Sequence, residues 1–178
     1  MRTDAPARVA AWIAAALGAA SAAVSAMWAL GHTFLLDTVG GQFEQWGHDG
    51  GTGVVAALLA IAALKLLVAI AAPVLAGVGR GRLPAWTSGR VPRILGWIAA
   101  VTLTIYGGLL TLVGLLVEAG AIDASADADT KALAWHAYFW DPWFLLWGAA
   151  FVIALWRTRR RAAAASASAG TPASSRSS

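Results

Sequence analysis

The chain of 178 residues contains no cysteine. That excludes disulfides, thiolate metal sites, iron–sulfur clusters and dithiol redox chemistry. Charge is scarce as well: Asp, Glu, Lys and Arg make up 12% of the residues, where a soluble domain carries about 25%. So few charges cannot cover a water-facing surface. The common catalytic signatures are missing too, with no HExxH, no GxSxG and no close Ser/His/Asp set. The glycine-rich WGHDGGTG at 46–53 lacks the GxxxxGK[ST] spacing of a phosphate-binding loop, and reads as a flexible turn.

What the chain does contain is apolar: 59% of its residues are hydrophobic, and they fall in long runs. A helix that crosses the hydrocarbon core needs about 20 mostly apolar residues. Four stretches qualify, at about 9–36, 54–78, 94–117 and either 131–156 or 142–156. The expected fold is therefore all-α: a polytopic integral membrane protein built as a bundle of four transmembrane helices. Residues 1–8 form a short N-terminal segment, 9–158 the helical domain, and the low-complexity 159–178 a disordered tail.

Charge assigns the sides. Arg2 and Arg8 precede the first span; Arg80, Arg82, Arg90 and Arg93 lie between the second and third; Arg157, Arg159, Arg160 and Arg161 follow the fourth. The other two loops are acidic, with Asp37, Glu44 and Asp49 in one and Glu118, Asp123, Asp127 and Asp129 in the other. The positive-inside rule then puts both termini in the cytoplasm of a bacterium, with the chain in its plasma membrane. The net charge of +4 has the same origin and implies no nucleic acid. AVSA at 23–26 resembles a signal-cleavage site, but the apolar run continues to Leu36, longer than a signal core, and uncleaved insertion is expected.

Within WHAYFWDPWFLLWG at 135–148, an Asp-Pro pair interrupts the fourth span. Asp141 can cap and Pro142 start a helix, but only 15 residues then remain to Trp156, about 22 Å against a core of about 30 Å. The alternative starts the helix near Thr130 and lets Pro142 kink it, leaving Asp141 inside the membrane. Lys65, in the middle of the second span, lies at matching depth: 15 residues from Arg80, as Asp141 is 16 from Arg157. A lone cation there costs at least about 2.5 kcal/mol. A Lys65–Asp141 ion pair, direct or bridged by water, is expected, to which Tyr106 of the third span could donate; the alternative leaves Lys65 snorkelling alone and Asp141 as a cap.

Two outward histidines, His32 and His136, form a second candidate site that could ligate a haem or a metal, although their spacing is no motif. HTFLLD at 32–37 and HAYFWD at 136–141 share a loose pattern that an inverted repeat would leave. Trp140, Trp143 and Trp147 fall at i, i+3 and i+7 on one helical stripe and with Trp28 make an aromatic cluster, a packing surface or lipid anchor.

MWALGHTFLLD at 27–37 and ALAWHAYFWDPWFLLWG at 132–148 resemble the corresponding segments of the domain of unknown function 3995, a bacterial membrane family found widely in actinobacteria. The matching residues are Trp28, Gly31, His136, Trp140, Asp141, Pro142 and Trp143, and the resemblance covers roughly residues 9 to 158. It implies a small four-helix membrane protein and brings no reaction, cofactor or substrate.

The expected function is a non-enzymatic membrane role, structural, scaffolding or regulatory. The alternative is a small transporter or ligand-binding protein using Lys65 and Asp141, and after it a haem- or quinone-linked redox protein. No cofactor is called for. Expected partners are the lipid bilayer and either a second copy or another membrane protein.

Overall fold

The computed structural model describes residues 5–125 and 128–169. Among the described residues six α-helices carry the fold: α1 (Ala5–Ala29), α2 (Gly41–Asp49), α3 (Thr52–Leu75), α4 (Arg90–Glu118), α5 (Thr130–Trp135) and α6 (Asp141–Ala169). A π-helical turn, His136–Trp140, joins α5 to α6, so Thr130–Ala169 is one unbroken helical run. Four stretches are long and apolar enough to cross a membrane: α1, α3, α4 and Thr130–Arg160. No strand occurs among the described residues.

Three of the spans stop where a glycine can enter the left-handed region. Gly31, Gly77 and Gly120 have φ of +86°, +83° and +68°, and the N–H of the next residue bonds back five residues, His32 to Met27, Val78 to Pro73 and Ala121 to Leu116. This stop shortens the first span. It ends at Ala29 rather than Leu36, and residues 30–40 form a compact connection with a 3₁₀ turn at Leu36–Thr38. At the other end of the chain, the alanine-rich segment after Trp156 has high helix propensity and extends α6 to Ala169. The segment expected to be disordered from 159 is helical as far as Ala169; residues 170–178 lie outside the described residues.

The spans alternate in direction. Ala10 and Ala11, early in α1, pack with Ala76 just past α3 and with Ala154 late in α6. Gly96 of α4 faces Phe151 and Leu155, while Gly114 faces Ala137. One end of the bundle thus gathers Arg82, Arg90, Arg93, Arg157 and Arg159, and the other gathers Asp37, Glu44, Asp49, Glu118 and Asp129. We call these the basic and acidic ends.

Helix α1 sits between α3 and α6, and α6 between α1 and α4. The two inner spans are the more buried; only 11% of the most apolar stretch of α3 or α4 is covered. Within a bilayer, apolar burial does not drive helices together, so close packing must. Accordingly α1 presents small residues at Ala7, Ala11, Ala14, Gly18, Ser21 and Ser25, a stripe spaced alternately by four and three, all buried. A side chain at Gly18 would begin 2.6 Å from the Trp147 indole and 2.7 Å from the Ala69 methyl. Between α4 and α6 the backbones touch: a Cβ at Gly107 would strike the Leu145 nitrogen, and one at Gly148 the Thr104 nitrogen. Trp147 and Phe151 are the large side chains sealed in this core.

Candidate functional site at the acidic end

The Asp-Pro pair lies inside a helix. Asp129 caps the run, its Oδ1 accepting from the Ala132 N–H at 3.1 Å. Thirteen residues later, Pro142 lacks an N–H and its ring would clash with the carbonyl of Tyr138 in a regular α-helix. The π turn widens the helix just there, and the Asp141 N–H reaches back five residues to the His136 carbonyl. Proline in mid-span is thus accommodated by a local change of pitch.

That change also brings two side chains together. His136 Nδ1 lies 3.3 Å from Asp141 Oδ1, and His136 Nε2 lies 3.1 Å from the Val39 carbonyl. Both partners are acceptors when the carboxyl is ionised, so the ring donates from both nitrogens only as the imidazolium. Asp141 is 3% exposed, and a buried carboxylate needs such a partner. The site is a hydrogen-bonded histidine–aspartate pair at the acidic end of the bundle, an ion pair when the ring is protonated.

Three further contacts tie the 35–40 connection to the same helical run. Lys131 Nζ donates to Asp37 Oδ2, Trp140 Nε1 donates to Thr38 Oγ1 at 3.1 Å, and Gly40 lies against the Ala132 methyl. Leu35 adopts φ +60°, a conformation that costs a branched residue roughly 1–2 kcal/mol. It turns the next side chain, Leu36, inward against Gly47 of α2. The Lys131 hydrogen bond holds the Asp37 carboxyl below its ordinary value of 3.8, although both groups are exposed to solvent.

The expected Lys65–Asp141 pair is not formed. Lys65 Nζ donates to Ser25 Oγ at 2.9 Å and approaches the Ser21 carbonyl at 3.5 Å, both on α1, and lies 5.6 Å from the Phe144 ring centre. Direction around the helix axis decides the partner. Lys65 points at the small-residue stripe of α1, while Asp141 is satisfied within its own helix. Tyr106 does not donate to Asp141 either; it packs edge-on against Phe144 at 5.8 Å and is half exposed.

His32 is exposed in the turn after α1, whereas both His136 nitrogens are already engaged. The pair therefore offers no two free imidazoles, and no group of three His, Cys, Asp or Glu suited to a metal occurs among the described residues. The supposed repeat dissolves as well, since 32–37 is a turn and 136–141 is helix. His48 and Glu44 end up one turn apart on α2, so the segment read as a flexible turn is in part helical.

The tryptophan cluster is real and spans the depth of the core. Trp28 meets Trp140 edge-on at 5.9 Å, and Phe139 touches Trp135, Trp140 and Trp143. Trp143 Nε1 donates to the Leu17 carbonyl at 3.1 Å. Trp147 is 1% exposed and its Nε1 has no acceptor. The stripe thus faces α1 and serves as packing surface.

A family model described as a protein of unknown function (DUF3995) matches residues 18–151. The chain belongs to the DUF3995 family. The matched region starts in α1 and ends in α6, so it includes the π turn, the His136–Asp141 pair and the tethered 35–40 connection. Comparison with curated proteins and with solved structures gives no match. The DUF3995 chain is accordingly a small multi-pass membrane protein whose apolar helices contact lipid.

Sequence patterns alone missed Val39 and Thr38, because the first acts through its carbonyl and the second through a distant indole. They also passed over the α1 stripe, although its four-three spacing of Ala, Gly and Ser can be counted directly.

Proposed function

We propose that this DUF3995 protein is a non-enzymatic component of the bacterial plasma membrane, structural, scaffolding or regulatory, with both termini cytoplasmic. The observation that carries this is the state of its intramembrane polar groups. Lys65, His136 and Asp141 each hold protein partners. Polar groups spent in this way fix helix positions. The arginine-rich end supports the orientation, because basic residues are retained on the cytoplasmic side.

Orientation is tested in cells and function in vesicles. The natural chain has no cysteine, so single cysteines at Ser88 and Ala121 report sidedness cleanly. An impermeant maleimide applied to intact cells should label Ala121→Cys and spare Ser88→Cys. Proteoliposomes should show no proton or potassium flux above protein-free vesicles. A flux abolished by Lys65→Met would replace the scaffold by a transporter.

A further inference from the structure

Beneath α2 lies a pocket of about 380 Å³. Its walls come from the end of α1 (Trp28), the following connection (Leu36, Val39), α2 (Phe43, Trp46) and the first turns of α3. On α3 the lining residues recur at 54, 57, 58 and 61, one stripe along the helix, so the space extends about 10 Å parallel to the bundle axis. No charged side chain lines it.

Water is a poor occupant of such a space, because a buried water needs two to four polar partners. An apolar cavity of about 150 Å³ is already enough to take a benzene ring. This one is more than twice that size, elongated along the direction in which lipid chains run, and partly open. The cover is itself suited to a membrane interface: α2 turns Phe43 and Trp46 toward the pocket and carries Gln42, Glu44, Gln45 and Asp49 elsewhere on its surface.

Charge around the site selects the headgroup. The connection and α2 bring Asp37, Glu44 and Asp49; Lys131 neutralises Asp37, which leaves Glu44 and Asp49 against His48. A carboxylate or other net-anionic head would meet like charge there, whereas an ammonium group would be attracted. We propose that this pocket binds one hydrocarbon chain of a bilayer phospholipid with a zwitterionic, ammonium-bearing headgroup. The proposal is independent of the scaffold function, since a lipid can be held by a protein of either kind.

Gly53 gives the test. It lies at the pocket wall in the first turn of α3, and a Cβ there would meet nothing within 4 Å, so a large side chain can fill the pocket without moving the backbone. The full-length protein in mild detergent is given a phosphatidylethanolamine carrying a photoreactive diazirine in one acyl chain, irradiated and mapped by peptide mass spectrometry. Labelling is expected to concentrate on residues 43–61 and to fall about tenfold in Gly53→Phe, while a fatty acid with the same chain labels more weakly. Ala57→Phe, at a second lining position, guards against a folding defect in the first variant, and unchanged thermal stability of either qualifies it. Labelling spread evenly over the exposed faces of α3 and α4, and unaffected by both substitutions, would overturn the site. Equal labelling by the fatty acid would overturn the headgroup.

Discussion

His136 and Asp141 stand five residues apart on one helical run, and their side chains meet at 3.3 Å because the turn between them is π. In a regular α-helix the same spacing points two side chains well apart, since neighbours lie three or four residues on. The proline that forces the wider turn therefore also assembles the pair. Breaking a buried ion pair leaves the surviving charge without a partner, which is worse than removing both. His136→Leu and Asp141→Leu should each destabilise the bundle by about 2–4 kcal/mol, and the double variant should recover at least half of the larger loss. Unfolding by steric trapping in bicelles measures all three. A double variant that loses the sum of the two singles would show that the pair is not coupled.

Lys65 should behave in the opposite way. Its partner is a serine hydroxyl, and Ser25 can turn to a backbone carbonyl of its own helix once the ammonium is gone. Lys65→Met removes a cation from the bilayer core and should leave stability unchanged or raise it by about 1 kcal/mol. Combined with Asp141→Leu, its effect should add to within about 0.5 kcal/mol. Strong coupling in that cycle would restore the ion pair that the geometry lacks.

The contact between α4 and α6 depends on missing side chains. A Cβ at Gly107 or Gly148 runs into the facing backbone, which cannot give as a flexible side chain can. Gly107→Ala and Gly148→Ala are expected to cost about 1–3 kcal/mol each despite alanine's better helix propensity. Gly81→Ala, where nothing lies within 4 Å, is the control and should be neutral. Thermal unfolding in one detergent compares the three directly.

Acid should release the tether between the 35–40 connection and α5. The Asp37 carboxyl is held below 3.8 by the Lys131 hydrogen bond, so the contact favours the folded form above that value. As pH falls through the lowered folded value the carboxyl takes up a proton and the contribution is lost. Hydrogen exchange of residues 130–135 should quicken in that range, and Asp37→Asn should show the quicker exchange already at neutral pH. Because both groups are exposed, global stability should hardly move. Exchange that ignores both pH and the substitution would mean the tether constrains nothing.

Much of the architecture was open to counting. Hydropathy over windows of about 20 residues finds the four spans, and the shortage of charge excludes a soluble fold. What counting could not find was the end of α1. The apolar run continues to Leu36, and only the left-handed turn at Gly31 stops the helix at Ala29. The candidate site was half legible: Asp141 and His136 were both singled out, yet each was assigned to another partner. Linear spacing gives height along a helix, and height alone had paired Asp141 with Lys65. Partnership also requires facing directions, and those follow from how α1, α3 and α6 pack and from a helix pitch that departs from 3.6 residues per turn.

The sequence by itself determined that this is a four-span helical membrane protein with unequal ends, because transfer of apolar residues and charges between water and lipid is additive along the chain. It also determined that the polar residues within the spans would need partners. Only the tertiary structure decided which ones. Ser25 serves Lys65, while His136 and the Val39 carbonyl complete the cluster around Asp141, because hydrogen bonds depend on distance and angle in three dimensions and a π turn rewrites both.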